Sequence, residues 1–314
     1  MPPLSVTTNF LDLPILKSDQ IAHAPFVAAS SDPWPGPVAV YAADEGSDFD
    51  QIAMINRRAT LGTTITNLCA GNHSRIQHGQ SVDVTLASGR LSSVTRLQLL
   101  NGANTAAIGV AQRNQWEVVQ FQSVELIGEQ TYRLTNLIRG KFGSETEDHG
   151  GWISGADFVL LHAGMDQLPL SEENRTAERT FRYGPAGRSY GHASYRETSI
   201  DFSARGLRPL SPCHLNCKIH SDGWLVSWIR RGRIDADSWH GMDIPLGEES
   251  EEYKIRVKRG GEPVMELFAN SQSVLISNAD IAEHELDVLN HDITVEVSQV
   301  SNAYGAGSPA TLII

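Results

Sequence analysis

Cysteine is scarce: the chain has three in 314 residues, Cys69, Cys213 and Cys217. That excludes a disulfide framework. Cys213 and Cys217 stand in C-x3-C spacing with His214 and His220 close by, but a structural zinc site wants four converging ligands. The expectation is small hydrophobes on a strand, and no metal. No apolar run approaches the roughly 20 residues that span a bilayer, so no transmembrane helix and no membrane insertion are expected. The start, MPPLSVTTNF, lacks a basic n-region and an apolar h-region, so a secretion signal is not expected. Positive charge is in deficit: 25 Lys and Arg stand against 37 Asp and Glu, a formal charge of −12. Such a surface repels phosphate backbones and argues against nucleic acid as a partner.

Catalytic motifs are missing too. There is no G-x-S-x-G elbow, no H-E-x-x-H and no G-x-x-x-x-G-K-[ST] loop. His284-Glu285-Leu286 begins a zincin-like string without its second histidine. The expectation is therefore no catalytic residues, no cofactor and no enzyme. Helical periodicity is sparse as well. The best stretch, Ser277 to Leu289, is interrupted by Asn278, Asp280 and His284.

What the chain does have is alternation. Val82-Asp83-Val84-Thr85-Leu86, Ile255-Arg256-Val257 and Ile293-Thr294-Val295-Glu296-Val297 each repeat every second residue, the mark of half-buried strands. Twenty-seven glycines and fourteen prolines punctuate such runs at short intervals. The fold class expected is all-β: an N-terminal β domain, sandwich or barrel-like, followed by a fibronectin type III-like β sandwich. Residues 1–35 read as an extended N-terminal arm, closed by the stiff Asp32-Pro33-Trp34-Pro35-Gly36-Pro37. Residues 36–163 read as the β domain. Residues 164–210 read as a bridging segment packed on it, and 211–314 as the sandwich, with Trp228 pointing inward from its second strand.

Few residues suggest chemistry. Asp235-Ala236-Asp237-Ser238-Trp239-His240-Gly241 partly follows a calcium loop, but its glycine falls one place late and position 12 lacks glutamate. Asp235 and Asp237 are the calcium candidates. The alternative is a solvated acidic loop continued by Glu248, Glu249, Glu251 and Glu252. Glu145, Glu147, Asp148 and His149 form a second acidic cluster, suited to acid/base hydrolysis or to a plain surface turn. Asn72-His73-Ser74 and Asn174-Arg175-Thr176 fit the glycosylation sequon, which means little without a secretion signal. The aromatics Trp34, Trp116, Trp152, Trp224, Trp239, Tyr183, Tyr190 and Tyr304 are either core residues or recognition surface. Trp239, Tyr304 and Tyr190 are the candidates for contact with a partner or a glycan.

Several strings, in order, carry a resemblance: FLDLPIL (Phe10–Leu16), DPWPGPVAVY (Asp32–Tyr41), LLNGANTAAI (Leu99–Ile108), WEVVQFQSVELI (Trp116–Ile127), YRLTNLIRGKFGSE (Tyr132–Glu145), GLRPLSPCHL (Gly206–Leu215) and WIRRGRIDADSW (Trp228–Trp239). Together they resemble the C-terminal part of the large tail-tip protein of gene transfer agents and siphophage-like tails, a family called host specificity protein or TIM-barrel-containing baseplate hub. The resemblance runs from about Phe10 to the end. It implies a structural, host-contacting module of a virion tail tip, made in the bacterial cytoplasm before particle assembly. Its implied partners are other tail-tip and hub proteins and a host surface glycan or protein, and it allows a trimer within the hub. The family's upstream barrel, about 250 residues, has no counterpart here, so its activity is not carried over. A C-terminal fragment or a split gene product is expected. Composition alone also fits a carbohydrate-binding or spacer module of a larger carbohydrate-active enzyme, and an independent hydrolase using Glu145 or Glu147 is a third reading.

Overall fold

The computed structural model describes residues 5–44, 48–73, 75–147, 150–161, 164–234, 236, 243–288 and 292–314. The chain is all-β, and it divides into two compact units: Met1–Leu16 with Gln20–Gly206, and Lys17–Asp19 with Leu207–Ile314.

The first unit holds β1 (Thr7–Leu11), β2 (Phe26–Ser30), β3 (Val38–Ala43), β4 (Asp50–Ile55), β5 (Leu61–Thr64), β6 (Leu68–Cys69), β7 (Gln77–Leu86) and the short helix α1 (Arg96–Leu100). It continues with β8 (Thr105–Val110), β9 (Gln115–Gly128), β10 (Thr131–Ile138), β11 (Gly151–Trp152), β12 (Asp157–Leu160), β13 (Met165–Gln167), β14 (Arg179–Pro185) and β15 (Arg196–Ile200). Six of these strands close a barrel in the order β10-β7-β5-β12-β8-β9. Its interior is filled by Val82, Val84, Phe121, Leu134 and Phe158 among others, so it is a packed core and not a pore.

A three-stranded sheet, β1-β2-β13, covers one side of the barrel's outer wall. Its two faces serve two cores. Leu11, Phe26 and Ala28 meet Trp116, Val118 and Val159 of the barrel. Phe10, Val27 and Ala29 meet Val40, Phe181 and Tyr183 of a four-stranded sheet, β15-β14-β3-β4. A strand covered on both faces can carry an unbroken apolar run, which is why Phe26–Ser30 is buried at every residue.

The stretch expected as an extended arm therefore contains two strands of the unit's central sheet, paired from Thr7↔Ser30 to Leu11↔Phe26. The stretch expected as a bridge contains β13, β14 and β15, and β14 lies between β3 and β15. Asp12 fastens the end of this stretch. Its Oδ2 accepts from the Ser203 N–H at 2.7 Å and its Oδ1 from the Arg205 N–H at 2.8 Å. Burial pushes the Asp12 carboxyl up from its ordinary value, opposed by these hydrogen bonds and by the Arg205 charge.

The second unit holds β16 (Cys213–His220), β17 (Gly223–Ile229), β18 (Tyr253–Arg259), β19 (Glu262–Ala269), β20 (Ser273–Ser277), the helix α2 (Asn278–Glu283), β21 (Ile293–Ser301), β22 (Gly305–Ala306) and β23 (Ala310–Ile313). One sheet has the order β16-β17-β20; the other runs β19-β18-β21, with β22 and β23 both pairing with β21. Inward residues of both sheets, including Trp224, Val226, Trp228, Tyr253, Ile255 and Val295, share one core. This is the strand order of a fibronectin type III-like sandwich. Trp228 is buried as expected and meets Tyr253 edge-on, 5.0 Å between ring centroids.

Candidate functional site

The YRLTNLIRGKFGSE string, Tyr132–Glu145, proves to be architectural around Arg139. Arg139 and Glu117 lie at 0% side-chain exposure. Arg139 Nε donates to Glu117 Oε1 at 2.6 Å and Nη2 to Oε2 at 2.7 Å. The Gly140 N–H and the Trp152 Nε1–H complete the carboxylate's coordination at 2.9 and 2.8 Å. Arg139 Nη1 also reaches the Cys69 carbonyl at 2.8 Å, so the Arg139–Glu117 pair ties the end of β10, β9 and β11 to β6. Gly140 has φ +59, and a Cβ there would meet Glu145 Cβ at 2.7 Å. Ser144 Oγ accepts from the Val118 N–H at 2.8 Å and donates to the Lys141 carbonyl at 2.7 Å. Within the YRLTNLIRGKFGSE string, Leu134 and Leu137 thus fill the barrel, while Arg139, Gly140 and Ser144 bolt it.

The second acidic cluster lies at the end of the same turn. Glu147 is buried and paired with Arg205, while Glu145 is half-buried. Asp148 and His149 fall outside the described residues.

The acidic run after the WIRRGR string is partly organised by that string's own arginines. Read as a calcium loop or a solvated one, it keeps Glu249 exposed but holds Glu248, Glu251 and Asp243 against arginines. Arg233 Nε donates to Glu248 at 2.7 Å, and Glu248 is nearly inaccessible. Arg230, itself buried, reaches Asp243 at 3.0 Å and Glu251 at 3.3 Å. Glu249 accepts from the Asn302 N–H at 3.0 Å. The arginines of the string supply what sequence spacing did not show: fixed cationic partners that organise a long connection.

Most singled-out aromatics are core. Trp116, Trp152, Trp224 and Tyr183 are buried, and Trp34 packs against the core shared by the two flat sheets. Tyr304 is half-buried in the turn between β21 and β22. Asp235, Asp237 and Trp239 lie outside the described residues. Among the described residues no group of three or more His, Cys, Asp and Glu side chains converges on a metal position. Cys69 is exposed; Cys213 and Cys217 are half-buried. No described helix is long and apolar enough to cross a membrane.

Tyr190 is different: it is 50% exposed and belongs to a group. Alternation on β3 and β14 sends Val40, Ala42, Phe181 and Tyr183 into the core. It leaves Tyr41 and Arg182 on the opposite face. They are cross-strand partners, and the row continues to Glu197 on one side and Gln51 on the other. The loop after β14 folds back over this face. Tyr195 seats its ring against Gly184, where any Cβ would fall 2.7 Å from the ring, and its hydroxyl donates to the Pro185 carbonyl at 3.2 Å. Burial and the neighbouring Tyr41 push the Tyr195 phenol up from its ordinary value. Tyr190 then lies 5.8 Å from Tyr41, with the Arg182 guanidinium 5.3 Å from its ring centroid and 5.9 Å from that of Phe49. Sequence reasoning found Tyr190 but missed Tyr41, Arg182 and Tyr195. The period-2 pattern of VAVYAA and RTFRYGP held the signal for the first two.

Residues 59–159 match the family described as "Rcc01698-like, C-terminal". That segment starts two residues before β5 and ends one residue short of the end of β12, so it is the closed barrel. No curated protein matches the chain. Among solved structures, "Central Fibronectin-III array of RIM-binding protein" is similar over 98% of this chain and 97% of that one, at 10% identity and a TM-score of 0.21.

Proposed function

We propose that this chain is a non-catalytic structural and host-contact module of a phage or gene-transfer-agent tail tip, corresponding to the C-terminal part of a host specificity or hub protein. One observation carries the reading: the family match covers the closed barrel, and three of the strings that resemble the tail-tip family lie inside it, Leu99–Ile108, Trp116–Ile127 and Tyr132–Glu145. The matched family also bears a name associated with gene transfer agents. The physical design agrees. Buried polar groups of the barrel, Arg139, Glu117 and Ser144 among them, spend their hydrogen bonds on rigidity, which suits a part held out under load. The partners on this reading are other hub proteins and a host-surface glycan or protein.

The test is location. Antibody raised to the chain should decorate one end of purified particles, and particles made without it should lose host adsorption. Intact particles without label, or full adsorption in its absence, would refute the reading. The Tyr41–Tyr190 face favours a second reading, a carbohydrate-binding module of a larger carbohydrate-active enzyme. Glycan binding by a chain never found in particles would decide for it.

A further inference from the structure

The outer face of β15-β14-β3-β4 carries a braced aromatic ring bordered by planar polar groups of both signs. The Arg182 guanidinium lies over one side of the Tyr190 ring, and Tyr41 flanks it at 5.8 Å. Tyr190 is half exposed, so the other side of its ring is open to solvent. Beneath it runs the cross-strand row Glu197–Arg182–Tyr41–Gln51. Glu197 and Gln51 are exposed, and Arg182 is half-buried. The Arg182–Glu197 contact spans 3.8 Å, and Arg182 Nε makes no hydrogen bond among the described residues. Neither sign of charge prevails. Arg188 of the overlying loop is exposed, and so are Asp48 and Asp50 on either side of Phe49. Arg179 and Arg196 belong to the core side of the sheet: Arg196 stands opposite Tyr183, and Arg179 is paired with Asp44 at 2.7 Å.

Resting on the host-contact reading, we propose that this face binds an uncharged glycan, docked through a pyranose ring laid on Tyr190. The C–H face of a pyranose is flat and apolar and matches the open side of the phenol ring. Its hydroxyls both donate and accept. The rim answers with an acceptor in the Glu197 carboxylate, donors in the Arg182 guanidinium and both in the Gln51 amide. Charge sets the class of ligand. A polyanion would meet Glu197, Asp48 and Asp50, and a polycation would meet Arg182 and Arg188, whereas an uncharged polymer meets no repulsion. The loop backbone at Gly187 and Gly191 has no neighbour within 4 Å of where a Cβ would stand, which leaves the space beside Tyr190 clear for the polymer to continue.

The experiment is calorimetric titration of the full chain with dextran, mannan, galactan and a soluble β-glucan, and with polygalacturonate and polylysine as charged controls, at low and moderate salt. At least one uncharged polymer should bind more tightly than either control, with an affinity that salt leaves unchanged. Tyr190→Ala should weaken that binding by about tenfold or more, and Tyr190→Phe should retain it, because the ring makes the platform. Gln51→Ala should weaken it by about threefold, the loss of one hydrogen bond. Phe268→Ala, which removes an exposed aromatic of the second unit, should change nothing. All these side chains are exposed, so folding is not at stake. Failure of all four uncharged polymers to bind, or a Tyr190→Ala variant that binds like the parent, overturns the proposal. Tighter binding of polygalacturonate or polylysine, weakening as salt rises, would assign the face to a charged ligand and overturn it too. Particles that carry the chain while it binds none of these polymers would sink this inference and leave the tail-tip reading standing. An uncharged glycan bound by a chain absent from particles would do the reverse.

Discussion

Replacing Glu117 by Gln tests the barrel's bolt. The substitution keeps the side chain's shape and removes its charge. Arg139 then remains buried without a counterion, and an amide N–H₂ is set against donors from Arg139 or Trp152. Breaking one half of a buried pair costs about 3–5 kcal/mol, chiefly through the uncompensated charge left behind. For a unit in the 150–250-residue range each kcal/mol lowers the melting temperature by about 2–4 °C, so the barrel's transition should fall by about 6–20 °C. Scanning calorimetry reads the shift, and hydrogen exchange at the β9 and β10 amides localises it. Replacing both partners, Glu117→Leu with Arg139→Met, removes the orphaned charge and should cost less than Glu117→Gln alone. A loss below about 1 kcal/mol for Glu117→Gln, or a double variant showing the plain sum of the two single losses, would refute the argument that the pair acts as a unit.

Three further outcomes follow from the same geometry. The Tyr253 phenol is pushed above its ordinary value by burial and by its hydrogen bond to Glu251. The unfolded chain therefore ionises first, stability falls as pH rises above about 10, and Tyr253→Phe should flatten that alkaline loss in melts from pH 8 upward. Glu266 is held below its ordinary value, first by the hydrogen bond from Lys254, so its contribution is present above about pH 4.3 and lost as pH falls further. Lys254→Met should shrink the acid-limb loss of melting temperature, and an unchanged acid limb would discard the pair as a stabiliser. Gly140→Ala combines a left-handed φ of +59 with contacts of 2.7 and 2.8 Å to Glu145 and His73. It should destabilise by more than the about 1–2 kcal/mol that left-handed backbone alone costs, and urea melts would show it.

The sequence alone determined what depends on neighbours along the chain. Alternation in Val82–Leu86, Ile255–Val257 and Ile293–Val297 fixed strands, because side chains on extended backbone point to opposite faces by turns. The same logic placed Trp228 inside the second unit and made the chain all-β. It placed Tyr190 in a glycine-rich loop as a contact candidate and left open whether the ring is core or surface. What it could not decide is which distant strands meet. Phe26–Ser30 is buried throughout only because a barrel covers one face and a second sheet the other. Glu117 looks like a surface charge on a strand until Arg139, 22 residues on, arrives opposite it. Glu248 and Glu251 look solvated until Arg233 and Arg230 fold against them. Arg182 and Tyr41 gain meaning as a platform only once β14 pairs with β3 across more than a hundred intervening residues. Registry between remote strands is set by the total packing of the core, a collective quantity, whereas periodicity is local; the first is invisible in a linear string and the second is written in it.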